Sequence, residues 1–190
     1  MRRMFGWTTA LALVASSSLT GCSGPTPAAV ELSEPFFTRA PAAGFDVLRR
    51  SGPLALDVSE TRRMGPEGGS IALPEAGVEL VVPPLALTEE VEITVTALAG
   101  AAVAFEFAPH GLEFAVPAEI RIGAAGTAGE ELVRSIPAVG RRRVASLLGV
   151  YFEGDPGVGV EPLENIETFV QDGDIVFEIE HFSGYACASG

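Results

Sequence analysis

The stretch Asp174-Ile175-Val176-Phe177-Glu178-Ile179-Glu180-His181-Phe182-Ser183-Gly184-Tyr185 carries apolar side chains at every second position, Ile175, Phe177 and Ile179. A period of two is the mark of a strand with one buried and one wet face. Asp172-Gly173 stands immediately before it. That dipeptide suits a two-residue type I′ hairpin turn, which needs positive φ at both central residues. Counting back through the turn pairs Val170 with Ile175, Thr168 with Phe177 and Ile166 with Ile179 on one face. Phe169 with Val176 and Glu167 with Glu178 fall on the other. The first set is the more apolar and is expected to point inward. In a regular strand His181 and Ser183 would continue that inward face, while Phe182 would pack on the opposite one.

Upstream of the hairpin the same pattern recurs. Ser70–Leu73 after Gly68-Gly69, Val78–Val82, Val91–Thr96, Val103–Phe107, Glu119–Ile122 after Pro117, Leu147–Glu153 and Ile166–Gln171 all read as strands. Pro83-Pro84 forces an exit from a ladder, because proline donates no ladder hydrogen bond. Gly123–Gly129 reads as a loop that either runs on through Val139-Gly140 to Arg141-Arg142-Arg143, itself a solvated loop or strand edge, or gives way to a short helical turn at Glu130–Ile136. Short strands, frequent turn signals and the lack of a long helical period give an all-β fold class, a single β-sandwich domain over residues 66–190.

Composition bounds the chemistry. The chain has 190 residues, 47% of them hydrophobic, enough for one domain with a core. All twelve cationic residues are arginine, so Schiff-base lysine chemistry and a lysine-dependent phosphate loop are excluded. Two histidines and two cysteines argue against a protein-built zinc site, and neither metal nor cofactor is expected. The net charge is −13, or −15 without Arg2 and Arg3, which speaks against a nucleic-acid partner. His110 reads as a turn residue. Asp172-Gly173-Asp174 lacks the length and closing glutamate of a calcium loop. The sequence has no Gly-x-Ser-x-Gly elbow for a hydrolase. Trp7, the only tryptophan, lies in the leader, so stacking of sugars on tryptophan has no support in the domain.

Residues 1–21 read as a signal peptide. Met1-Arg2-Arg3 is followed by an apolar run, Thr8–Leu19, that is shorter than the roughly 20 residues needed to span a bilayer. Leu19-Thr20-Gly21-Cys22 then resembles the lipobox of bacterial lipoproteins. That resemblance implies lipidation of Cys22 with palmitate-type acyl chains and a membrane anchor, since more than one chain makes anchoring stable. The alternative is an ordinary secretory leader with a free Cys22. Ser23 stands where the family's inner-membrane retention signal has aspartate, which points to the outer membrane of the cell envelope. Cys187 is left without an intramolecular partner and is expected as a small apolar residue in or beside the last strand. Residues 22–65, with prolines at 25, 27, 35, 41 and 53, read as a flexible tether. Phe45–Leu48 or Leu54–Val58 would be a short ordered piece within it. Such a coil reaches about 35–40 Å.

The domain resembles the ZU5 module, a β-sandwich. The resemblance rests on Gly68-Gly69 with the strand after it, Gly77-Val78-Glu79-Leu80-Val81-Val82-Pro83-Pro84-Leu85-Ala86-Leu87, and Val91–Thr96. It continues through Phe107-Ala108-Pro109-His110-Gly111-Leu112-Glu113-Phe114 with Pro117, and ends on His181-Phe182-Ser183-Gly184-Tyr185. Leu85 departs from the family, which usually has glycine there. The resemblance implies a structural or protein-interaction module without turnover, bound to an envelope or extracellular protein that the sequence does not name. Some members cut themselves between Phe and Ser of a His-Phe-Ser sequence. On that pattern Ser183 would be the nucleophile and the Phe182 carbonyl its target, and His181 would be the base or would favour a strained conformation of the scissile peptide.

Overall fold

A computed structural model describes residues 46–153 and 161–189. The strands in chain order are β1 (Asp46–Val47), β2 (Arg49–Leu54), β3 (Val58–Met64), β4 (Gly69–Leu73), β5 (Val78–Val82), β6 (Val91–Ala97) and β7 (Gly100–Ala102). After them come β8 (Ala104–Ala108), β9 (Glu113–Gly123), β10 (Arg142–Glu153), β11 (Glu161–Gln171), β12 (Asp174–His181) and β13 (Gly184–Ser189). One short helix, α1 (Glu130–Ser135), precedes β10.

The large antiparallel sheet has the order β3-β6-β8-β13-β10-β11-β12-β9-β5-β4, with β1 added beside β13, and β2 and β7 form a separate small ribbon. The sheet curls on itself into a near-barrel, so its halves face each other across one core in the manner of a sandwich. Its two ends meet where the Arg62 guanidinium donates to the Ser70 carbonyl at 2.7 Å, from β3 to β4. Leu80, Ile93, Val95, Phe105, Phe107, Ile120 and Phe177 are fully buried between the walls. A phenylalanine buried in this way contributes about 2 kcal/mol.

The Asp172-Gly173 turn has φ of 55° and 93°, as a type I′ turn requires. Val170 pairs with Ile175, Phe169 with Val176 and Thr168 with Phe177, in the register read from the sequence. The ladder stops there. Ile166 lies opposite Gly149 of β10 rather than Ile179 of β12. Gly149 itself is needed: a β-carbon there would stand 2.8 Å from the Phe177 ring, which crosses the strand at that point. The arginine run straddles the start of β10. Arg142 and Arg143 pair with Val170 and Phe169. Arg141 stacks 4.1 Å over the Phe169 ring and reaches Glu119 and Glu178 at 3.3 and 2.9 Å.

The domain starts earlier than the tether reading of residues 22–65 places it, because β1, β2 and β3 all lie before residue 66. The strand β3 hides its period. Ser59, Thr61 and Arg63 share one face and Glu60 and Arg62 stand opposite Val95 and Ile93 on the other; all five are exposed, so charges occupy the inward-side positions of an edge that stays wet. Inward charges on an edge strand discourage pairing with other chains. They also erase the apolar alternation that identifies a strand in sequence. In the β2–β7 ribbon, Arg50 is buried with its guanidinium over the Phe105 ring, donating to the Ala102 carbonyl. Burial pushes its pKa down.

Leu85 sits in a turn closed by the Ala86 N–H on the Pro83 carbonyl at 3.2 Å, and its φ is +67°. Positive φ at the third position with proline at the second is the type II pattern, which favours glycine. The side chain is 71% exposed, so it contributes little packing. Replacing Leu85 by Gly is therefore expected to raise unfolding free energy by about 0.5–1 kcal/mol. Urea unfolding of both proteins measures this, and a loss of stability would contradict it.

Candidate functional site

β12 and β13 are consecutive in the chain but lie on either side of β10 and β11 in the sheet. Only Phe182 and Ser183 connect them. The same is true one strand over: β8 pairs with β13 and β9 with β12, and Pro109–Leu112 joins them. Two neighbouring chains thus bend together from one wall of the near-barrel to the other. They are tied at the bend by the Phe182 N–H on the Leu112 carbonyl at 2.8 Å and the Gly111 N–H on the Phe182 carbonyl at 3.1 Å. The Phe107 N–H donates to the Ser183 carbonyl at 3.2 Å just beyond.

The bend overturns the inward register expected for His181 and Ser183. A bulge between Ile179 and His181 breaks the β12–β9 register, so the alternation shifts. Phe182 is the buried residue, 1% exposed, and His181 and Ser183 are half-buried beside it. The Phe182 ring stacks on Phe107 at 5.3 Å and meets Phe114 edge-on at 4.9 Å. Neither Phe182 nor Ser183 has positive φ.

Tyr185 is the residue that sequence reading did not single out for a role. Buried against Phe107 and Phe177, it turns its hydroxyl back four residues and donates to the His181 carbonyl at 2.8 Å. The same oxygen stands 3.2 Å from His181 Nδ1. With the hydroxyl proton on the carbonyl, this second contact needs a proton on Nδ1. The neutral ring then keeps its lone pair on Nε2. A tyrosine hydroxyl that returns to the backbone a few residues upstream is the tyrosine corner of β-sandwiches. The signal was in the sequence as a tyrosine four residues after His181. Tyr151 completes the setting, edge-on to the imidazole at 5.6 Å.

The geometry supplies one part of a self-cleavage site and withholds another. Gly111 N–H is positioned as a donor on the carbonyl that Ser183 would attack. The Nδ1 contact of His181 goes to Tyr185 and not to Ser183. His110 is an exposed turn residue that precedes Gly111 in the chain. Among the described residues no cluster of three or more His, Cys, Asp or Glu side chains is placed to hold a metal ion. No helix among them is long and apolar enough to cross a membrane. Cys187 is fully buried on β13, and desolvation pushes its thiol up to about 12, so it is inert packing. Cys22, the signal peptide and the tether as far as residue 45 lie outside the described residues.

A cleft of about 310 Å³ opens beside the bend, between β11 and β12, with Ile166, Glu167, Glu178, His181 and Tyr185 among its walls. It exists because β11 stays with β10 while β12 turns away below Thr168 and Phe177. Compared with known proteins, the sequence matches no protein-family model and no curated protein.

Tyr185→Phe keeps the ring and removes the hydroxyl, leaving the His181 carbonyl short of its donor. The expected cost is about 1–2 kcal/mol of unfolding free energy, read by urea denaturation. A neutral result would mean that the corner is held by the Phe182 ring alone.

Proposed function

We propose that this chain is a lipid-anchored protein of the bacterial cell envelope, tethered through Cys22, whose ZU5-like β-domain acts as a structural or protein-interaction module without a catalytic cycle. The observation that carries the reading is the Tyr185 hydroxyl on His181 at 2.8 Å, with Phe182 buried beside it. The residues that most resemble a site are occupied in closing the fold. The acidic net charge favours protein partners over nucleic acid. The lipobox-like Leu19-Thr20-Gly21-Cys22 supports the anchor, with the outer membrane favoured by Ser23.

The second reading is self-cleavage between Phe182 and Ser183, favoured by the Gly111 donor on the Phe182 carbonyl. Ser183 Oγ would add to that carbonyl carbon as its proton passes to a base, with His181 Nε2 the nearest by sequence. The Ser183 nitrogen would leave as an amine, taking a proton back, and water would hydrolyse the resulting ester. A free carboxylate on Phe182 and the peptide Ser183–Gly190 would result. A hydroxyl needs both an adjacent base and a polarised carbonyl. The arrangement meets the second condition only in part, with one donor.

Intact-mass spectrometry of the purified chain, native and after denaturation, separates the two readings. The interaction-module reading expects a single uncut species, and loss of the last eight residues would overturn it. For the anchor, Cys22→Ser is expected to move the protein from the membrane to the soluble fraction. Unchanged fractionation would rule out lipidation.

A further inference from the structure

In a two-residue hairpin the closing pair, here Gln171 and Asp174, exchanges both backbone hydrogen bonds, and every second pair after it does the same. Phe169–Val176 is the next such pair and Glu167–Glu178 the one after. The ladder ends at Thr168↔Phe177, so the Glu167–Glu178 exchange is the first to be missing. By the same alternation the N–H and C=O groups of Glu178 on β12, before the bulge, and of Glu167 and Asn165 on β11 point into the cleft. Two strand edges therefore face each other across an open cleft of about 310 Å³.

We propose that this cleft accepts an extended segment of a partner protein as an added strand, one that alternates apolar side chains with arginine or lysine. The inference rests on the interaction-module reading and names its surface. Strand addition to exposed edges uses backbone hydrogen bonds for affinity and alternate side chains for specificity. Inward-facing residues of the segment would meet Ile166, Ile179 and Tyr185, all of which line the cleft. Outward-facing ones would meet Glu167, Glu178 and Glu180, which are exposed at its rim. The chain already displays this recognition on itself. Arg141 lies across the same outer face on Phe169 with Glu178 at 2.9 Å, and Arg143 reaches Glu167 at 2.7 Å. An added strand needs about 4.8 Å on each side, so β11 and β12 would part further from their junction at Thr168 and Phe177.

The test uses the 15N-labelled chain from residue 22 onward, with Cys22→Ser so that no acyl chain is attached. The probe is a capped hexapeptide of alternating arginine and valine, with the alternating glutamate and valine peptide as control. The expected result is saturable shifts at Asn165, Glu167, Glu178 and Glu180 with slowed exchange of the Glu167 and Glu178 amides, seen for the arginine peptide only. Glu167→Gln, Glu178→Gln and Glu180→Gln together are expected to weaken binding at least tenfold, and these exposed positions leave the fold intact. Shifts spread over the surface without amide protection would overturn the proposal. So would shifts at these residues that depend on protein concentration without peptide, because the occupant would then be a second copy of the chain. An uncut domain with an unperturbed cleft would refute strand addition alone. Loss of the last eight residues would refute the reading on which it rests.

Discussion

The Tyr185 hydroxyl bound to the His181 carbonyl holds the point on which the architecture turns. β12 runs along one wall and β13 along the other, with two residues between them, and β9 and β8 make the same passage alongside. A two-residue passage between walls needs a clamp across it and an anchor beneath it. Tyr185 supplies the clamp at 2.8 Å and Phe182 the anchor, packed on Phe107 and Phe114. The backbone bonds among Gly111, Leu112 and Phe182 join the two passages into one corner. Without that corner the sheet would remain open and the apolar faces of β6, β8, β9 and β12 would have nothing to cover them.

The corner also explains the cleft. β10 and β11 form a hairpin whose two strands pair with β13 and β12, which lie on opposite sides of the bend. The hairpin stays together while β12 turns, so β11 and β12 part company inside the bend. The cleft is a geometric consequence of closing the barrel. Its rim is acidic because Glu167, Glu178 and Glu180 occupy the wet positions of the two strands.

Much of the domain was legible in the residues. The Asp172-Gly173 turn, the pairs from Val170–Ile175 to Thr168–Phe177 and the strand Val78–Val82 follow from turn chemistry and local period, and the short helix at Glu130 is one of the two readings its stretch allowed. What escaped depends on tertiary context. β3 carries charge on its inward side and has no readable alternation. Extrapolating a strict period through His181 put His181 and Ser183 inward, but the bulge after Ile179 turned Phe182 in instead. The Gly111 donor comes from the other passage of the corner, some seventy positions away in the chain, and no local pattern could announce it. Tyr185 was visible as a residue, yet its role appears only once the chain is seen to bend.

The central claim is that His181-Phe182-Ser183-Gly184-Tyr185 is a clamped corner first and a reactive sequence at most second. Native-state hydrogen exchange at the Phe182 and Gly111 amides tests it most directly, because both protons are held inside the bend. The account predicts protection as deep as that of Phe177 in the barrel wall, with both amides losing protection together in Tyr185→Phe. Rapid exchange at Phe182 in the unaltered chain, with Phe177 still protected, would contradict it.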